Sequence, residues 1–330
     1  MSDRAGLVLW ALLGCGALGG CAQGGMEGYR SRLQAPAESA SSGVRVTWMG
    51  TAGVSIDDGQ TALLIDPFVS RNRGAGAILL RARLHPDQPR VARWANALAP
   101  TRTKAVLVSH SHFDHAMDAP FFAQRTHALL VGSNSTGWIG QGAGLAAEQI
   151  RVVSDGSVVR FGDFKVTFLE SQHGTNPFGG TIPRKDIKEP VVPPSRHADY
   201  DLGATFSIVI EHPLGTIVHH ASASLRPAMF EAADVRADVV LLGIAGRSDT
   251  EQYLQDVVDA LGAPVVIPIH FDNFFEPLDT PMEPLPTVDL DEFWATADAH
   301  QPRLDVRTLP LGEPVIVLKA GPDLGDGGSL

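Results

Sequence analysis

At 330 residues, with 44% hydrophobic and 19% charged side chains, the chain can bury a large core as one or two domains. Its net charge of −11 argues against a nucleic-acid partner, which needs a basic face. No apolar run of about 18 residues follows the N-terminus, so no internal membrane helix is expected.

Arg4 precedes an apolar run over residues 7–13, and small residues follow up to Cys21, the pattern of an export signal. Leu18-Gly19-Gly20-Cys21 resembles the bacterial lipoprotein cleavage box, in which the Cys is lipidated and becomes the first residue. Leu12-Leu13-Gly14-Cys15 resembles it too, but cleavage there leaves a shorter apolar region. Residues 1–20 are therefore read as a lipoprotein signal peptide, with an ordinary secretory signal as the plainer alternative. Both cysteines lie in this segment, so acylation of Cys21 leaves no free thiol and no disulfide. The Gly/Ser/Ala-rich residues 21–43 read as a flexible linker through which a lipidated Cys21 tethers a soluble domain to a membrane. Ala22 after the Cys points, by resemblance to known lipoproteins, to a periplasmic domain on the outer membrane. Without lipidation the protein is expected to be secreted.

Val44-Arg45-Val46-Thr47-Trp48 alternates, Gly50-Thr51-Ala52-Gly53 turns, and Val54-Ser55-Ile56 and residues 62–65 continue a β-meander that Asp66-Pro67 ends. Residues 68–88 carry Arg71, Arg73, Arg81 and Arg83 in a surface loop or short helix. Such a run is more often a solvated face than a site for an anionic group or lipid head groups. Residues 89–98 look helical and stop at Pro100. The buried strand at 105–108 then runs into Ser109-His110-Ser111-His112-Phe113-Asp114-His115. Three imidazoles and a carboxylate at a strand's C-terminal edge point to a metal site, and these donors suit zinc, iron or manganese. A loop leaving a strand can aim side chains two apart at one point, and two neighbouring residues can reach a second.

The His-x-His-x-Asp-His spacing is the signature of the metallo-β-lactamase superfamily, which this chain resembles over about residues 44–320. The Trp-x-Gly-x-x-Gly pattern from Trp48 and the Ile65-Asp66-Pro67 triplet look most like one branch of it. That branch contains L-ascorbate-6-phosphate lactonase and, more distantly, N-acyl-phosphatidylethanolamine phospholipase D. Its members often have His where Thr51 stands. The resemblance implies one α/β domain over 44–320, a four-layer αββα sandwich with metals at one edge between the sheets, and a tail at 321–330. It also implies that His110 and His112 belong to a first metal site, and Asp114 and His115 to a second.

Residues 117–124 begin a helix, 128–131 form a strand, and the turn at Gly132-Ser133-Asn134-Ser135 caps a helix to about Glu148. Residues 151–153, 157–161 and 164–169 read as another meander, ending in Glu170-Ser171-Gln172-His173-Gly174. By resemblance, a His after this strand completes the first site. His110, His112 and His173 would then supply three imidazoles and leave one open position, the pattern of a catalytic zinc. The Pro-rich residues 175–201 follow that ligand directly and read as a lid, with Phe178, His197 and Tyr200 lining a substrate pocket.

Residues 204–211 and 216–220 form a hairpin. Superfamily members usually continue its second strand into Gly-Asp-Thr, whose Asp bridges both metals. Here the stretch is Ala221-Ser222-Ala223, and Ser222 stands in the carboxylate's place. His219 and His220 are candidate substitutes, but on a strand they point to opposite faces, so at most one can serve. Asp199 and Asp201 of the lid are others. The second site is expected to be weakened, or the centre to hold one metal. Residues 226–235 read as a helix, 238–242 as a strand and 250–261 as a helix. The last strong strand ends in His270-Phe271-Asp272-Asn273-Phe274. The resemblance adds His270 to Asp114 and His115, with Asp272 and Asn273 as contacts behind the metal or to substrate. A helix at 289–300 and an edge strand at 315–318 close the domain.

The implied activity is that of a metal-dependent hydrolase using a metal-activated water, with Asp114 as catalytic carboxylate and one or two Zn2+ ions, Fe or Mn being alternatives. The expected substrate is a small molecule or lipid: a phosphodiester, a phospholipid or a lactone. The alternative is a non-catalytic, lipid-tethered binding protein that keeps the fold. The missing bridging Asp supports it; Asp114, which a plain three-histidine site does not need, opposes it.

Overall fold

Strand residues alternate between two apolar environments, and this period of two builds the layers. Leu63, Ile65, Ala105, Leu107 and Val131 enter one hydrophobic cluster, while Leu64, Val106, Val108 and Leu130 enter another. Strands buried on both faces in this way read as continuous apolar runs. The structure is a computed structural model that describes residues 19–38, 42–71, 82–176 and 180–319.

The first sheet contains β1 (Val44–Gly50), β2 (Gly53–Asp57), β3 (Ala62–Ile65), β5 (Thr103–Leu107), β6 (Leu129–Gly132), β7 (Ile150–Val152) and β16 (Pro314–Leu318), in the order β16-β1-β2-β3-β5-β6-β7. The second contains β8 (Ser157–Phe161), β9 (Phe164–Glu170), β11 (Phe206–His212), β12 (Gly215–His220), β13 (Val239–Gly243), β14 (Val265–Ile269) and β15 (Asp305–Val306). Its order is β15-β14-β13-β12-β11-β9-β8. Each sheet joins antiparallel strands to a parallel run, β3-β5-β6-β7 in one and β12-β13-β14-β15 in the other. A two-residue pair, β4 (Arg83–Leu84) with β10 (Ser195–Arg196), pins the lid.

The inner faces of the two sheets meet in the larger cluster. Helices α2 (Gln88–Ala97), α3 (Phe113–Ala116), α4 (Ala119–Thr126) and α5 (Asn134–Gly142) share the other cluster with the outer face of the first sheet. Asp87 and Ser133 cap two of these helices by accepting from the N–H groups of Arg90 and Thr136. Helices α6 (Met229–Ala232), α7 (Thr250–Leu254, continued by a π turn over Gln255–Asp259) and α8 (Leu290–Ala299) extend the larger cluster with Phe230, Leu254 and Phe293. The result is the expected four-layer αββα sandwich. Among the described residues, no helix is long and apolar enough to cross a membrane.

Several local expectations are corrected. Residues 150–152 do not join the strands at 157–170; β7 pairs with β6, and the chain changes sheets before β8. The helix after Ser133 stops at Gly142, because Ala143 and Gly144 close it with hydrogen bonds to Ile139 and Gln141. The helix expected over 226–235 is the single turn α6.

The flexible linker is the main correction. Residues Gly19–Ser31 form α1, and from Gly25 onwards the chain is packed. Trp294 Nε1 donates to the Gly25 carbonyl at 2.8 Å, and Tyr29 Oη donates to the Leu309 carbonyl at 2.7 Å. The Tyr29 ring lies 5.6 Å from Phe271 and 6.4 Å from Trp48. Gln34 and Ala37 then hydrogen-bond to the carbonyls of Thr308 and Pro314. The folded body therefore begins well before Val44. The expected signal peptide before residue 19 and the tail at 321–330 lie outside the described residues.

Tyr29→Phe should cost about 1 kcal/mol, the value of one buried hydrogen bond. Tyr29→Ala should cost about 3 kcal/mol or more through the cavity it leaves. Urea unfolding measures both, and two unchanged midpoints would restore the linker reading.

Candidate metal centre

The loop after β5 is fixed by a carboxylate from the neighbouring strand. Asp66, just past β3, is fully buried. Its Oδ1 accepts the Ser109 N–H at 2.7 Å, and its Oδ2 accepts the Ser109 hydroxyl at 2.5 Å and His115 Nδ1 at 2.8 Å. The chain then turns into the short helix α3, so Asp114 and His115 follow His110 and His112 around one bend.

Six side chains converge from three loops, those after β5, β9 and β14. The ligand atoms of His110, His112 and His173 lie within 4.8 Å of one another, and so do those of Asp114, His115 and His270. In the second group His115 Nε2 stands 3.1 Å from His270 Nε2. Asp114 Oδ2 is 3.5 Å from the first of these nitrogens and 3.3 Å from the second. Two nitrogens each about 2.1 Å from a tetrahedral ion sit roughly 3.4 Å apart, so this triangle has the edges of a metal polyhedron. The two groups adjoin, because the His110 and His115 rings are 3.9 Å apart.

The hydrogen bonds also set the tautomers. His115 Nδ1 faces a carboxylate, which only accepts, so its proton is there and Nε2 keeps a lone pair. His173 Nδ1 donates to the Gly174 carbonyl at 2.9 Å, freeing its Nε2. The Ser109 hydroxyl is spent on Asp66, so His110 Nδ1, 3.1 Å away, donates to the serine oxygen. His110 Nε2 is buried without a partner. A buried imidazole nitrogen left unpaired with its lone pair free suits a metal ion.

The electrostatics agree. Burial, with His115 and His173 adding repulsion, holds His110 well below the usual imidazole range. Burial and His173 lower His112 to about 3, and burial lowers His173 to about 4. Burial by itself would lower His115, but Asp114 and Asp66 raise it. Burial would raise Asp114, but His115, His270 and His112 hold it well below the carboxylate range. The first group is thus neutral, ready to ligate, and the second holds the anionic carboxylate.

Other expected residues are elsewhere. His220 points away from the centre, against Phe230 and Tyr253, with Nδ1 2.6 Å from Ser207 Oγ. His219 is buried and donates from Nε2 to the Ala52 carbonyl at 2.8 Å, outside both ligand groups. Ser222 Oγ accepts the Gly174 N–H at 2.9 Å, so it steadies the loop of His173. Asp199 accepts the Arg196 N–H and Asp201 pairs with Lys185; neither enters a ligand group. Tyr200 is buried in the cluster beneath the lid, where its ring completes that apolar layer. Asn273 Oδ1 accepts the Phe275 N–H, which closes a turn. His197, exposed on the lid, does face the centre: its ring meets Phe113 at 5.2 Å and feels the charge of Asp114. Phe178 lies outside the described residues.

Of the four arginines, Arg71 is buried against Asp272, Arg83 donates to the Pro194 carbonyl, and Arg73 and Arg81 lie outside the described residues. Asp66 and Arg71 are the residues that sequence reasoning missed, although the Ile-Asp-Pro triplet marked the first. Asp58, Asp163 and His212 also cluster, but the Leu214 N–H donates to His212 Nδ1. The ring proton is then on Nε2, facing Asp58, and no lone pair is left for a metal.

Fold and centre together define an α/β sandwich protein with two adjoining histidine-rich ligand groups at one edge. A family model described as a beta-lactamase superfamily domain matches residues 45–270, and the chain belongs to this metallo-β-lactamase superfamily. A UPF0173 metal-dependent hydrolase of Cupriavidus taiwanensis is 26% identical over 278 residues, covering 82% of this chain and 88% of the relative. One from Methanopyrus kandleri is 24% identical over 236 residues, covering 70% and 85%. Among solved structures, the metallo hydrolase Igni18 of Ignicoccus hospitalis matches with a TM-score of 0.55 at 19% identity, over 82% of this chain and 97% of that one.

The depressed histidines predict an acid-labile apoprotein. Unfolded imidazoles take up protons below about pH 6.5, whereas folded His112 and His173 resist to about 3 and 4. Protons therefore favour the unfolded state, and stability falls as pH drops from about 6.5 towards 4. In chelator, the urea midpoint should be lower at pH 5 than at pH 7.5; equal midpoints would refute the neutral-histidine assignment.

Proposed function

We propose that the protein is a metal-dependent hydrolase of esters or phosphodiesters, with a phospholipid, a smaller phosphodiester or a lactone as substrate. The convergence of His110, His112, His173, Asp114, His115 and His270 into two adjoining groups carries this reading. The curated relatives named as metal-dependent hydrolases support it. Zinc suits the three-imidazole group best. An ion held there would lower the pKa of a coordinated water and polarise the scissile oxygen.

The chain's own groups supply the rest. Asp114, kept anionic by its histidine neighbours, would orient the attacking water or bind an ion in the second group, and would act as proton acceptor where that group holds none. Phe113 and Phe274 stand beside the centre, the latter 5.5 Å from the His270 ring, and give an apolar wall for the substrate's organic part. His197 overhangs that wall from the lid. Lys185–Asp201 and the Ile187 N–H to Ser135 Oγ bond hold the lid down.

A second reading, a binding protein without catalysis, draws on Ser222 standing where a bridging carboxylate is usual. A panel of phosphodiesters and lactones, with and without metal, separates the two. Purified protein should contain zinc, iron or manganese, and Asp114→Ala should lose about 100-fold or more of any hydrolysis found. Full activity in the metal-free protein would sink the hydrolase reading, and silence across the panel at saturating metal would favour the binding role.

Residues 18–21 carry the proposal of a lipid anchor at Cys21 on a periplasmic, outer-membrane-bound protein. Since packing begins at Gly25, the tether would be short. Mass spectrometry of the membrane fraction should show a diacylglyceryl modification that Cys21→Ser abolishes; an unmodified, freely released protein would point to a secretory signal.

A further inference from the structure

We propose that the buried Arg71–Asp272 ion pair is a positioning device for His270 and so sets the metal affinity of the second ligand group. This rests on the two-group reading above. Asp272 lies two residues beyond His270, and neither partner of the pair belongs to either ligand group. Arg71 Nη2 donates to Asp272 Oδ2 at 2.7 Å, with both side chains almost fully buried. The other carboxylate oxygen, Oδ1, accepts the Thr51 N–H at 2.8 Å. The Thr51 carbonyl in turn accepts the His270 N–H at 2.8 Å and Trp48 Nε1 at 3.0 Å. The backbone of His270 is therefore held through Thr51 by a carboxylate that Arg71 neutralises.

Two observations show that this strut works against backbone preference. Thr51, Arg71 and His270 all have positive φ, at 53°, 44° and 56°. Non-glycine residues avoid this region, and several such residues in one contact network persist only where the surroundings over-determine them. Gly50, the last residue of β1, has φ 85°, and a Cβ there would stand 2.0 Å from Arg71 Nη2. The glycine leaves the path that the guanidinium takes to Asp272. A buried ion pair of this kind commonly adds little net stability, so placement of the loop accounts for it better than stabilisation does.

The test titrates cobalt(II) and zinc into chelator-stripped full-length protein. Wild type should bind two ions. Arg71→Met and Asp272→Asn should weaken the second ion about 10-fold or more and change its cobalt absorption, leaving the first within about twofold. Arg71→Lys should recover part of the loss. Should either single variant fail to fold, the Arg71→Met/Asp272→Asn double variant, which buries no lone charge, carries the test with the same expected split. Equal weakening of both ions, or two ions bound as in wild type, would overturn the positioning role. A wild type that binds one ion would overturn the two-group reading itself and this proposal with it.

Discussion

A carboxylate cut off from water is costly unless its oxygens are fully engaged, and Asp66 meets that requirement three times over. The same bonds give the centre its order. His115 is held directly, with its proton on the nitrogen facing Asp66. His110 is held through Ser109, whose hydroxyl proton is committed to the carboxylate and whose oxygen therefore receives the imidazole proton. One buried charge thus sets the tautomer of a histidine in each ligand group and turns both Nε2 lone pairs away from it. Asp66 itself sits at φ 46°, a conformation the surrounding core imposes where β3 ends. The metal loop is placed by this clamp more than by its own short helix, which has four residues.

That dependence explains what could be read in advance. His110, His112, Asp114 and His115 were legible because their spacing is local, and His173 and His270 because each follows a recognisable strand. The two-sheet layering was legible from the apolar runs. Asp66 stood in plain view as a strand terminator, but its partners are 43 and 49 residues away, and no periodicity reports such a bond. Tyr200 and His220 failed for a related reason. Each is the right chemical type near the right loop, yet the side of the layer it faces is settled by packing. The linker failed differently. Gly25 and Gly28 looked like marks of flexibility, but a Cβ at these positions would stand 2.6 Å from Leu290 Cβ and 2.3 Å from Trp294 Cδ1. Composition does not separate a glycine that frees the chain from one that lets two helices touch.

Strain gathers on one side of the centre. Thr51, Asp66, Arg71 and His270 all have positive φ and all belong to the networks around the second group. The N-terminal helix leans on the same region through the ring of Tyr29, which packs on Phe271 beside His270. The second group is therefore the more expensive to build, and its ligands are backed by long-range contacts from the N-terminal helix, the β1–β2 turn and the loop after β3.

The fate of the bridging position follows from this asymmetry. Ser222, set by the sequence resemblance where a shared carboxylate is expected, takes a backbone N–H from Gly174, next to His173. The first group gains a steadier third ligand, while both groups lack the anionic donor that a bridging carboxylate would share between them. Asp114 is then the one carboxylate among the six ligands, and Asp66, behind His115, adds its charge only through the ring. Two divalent ions would bring four positive charges against these two negative ones, so mutual repulsion falls on the ion with fewer compensating contacts. Both negative charges lie on the second group's side, so its ion is held by Asp114 together with the rigid placement of His115 and His270, which matters more here than in a centre whose two metals share a carboxylate.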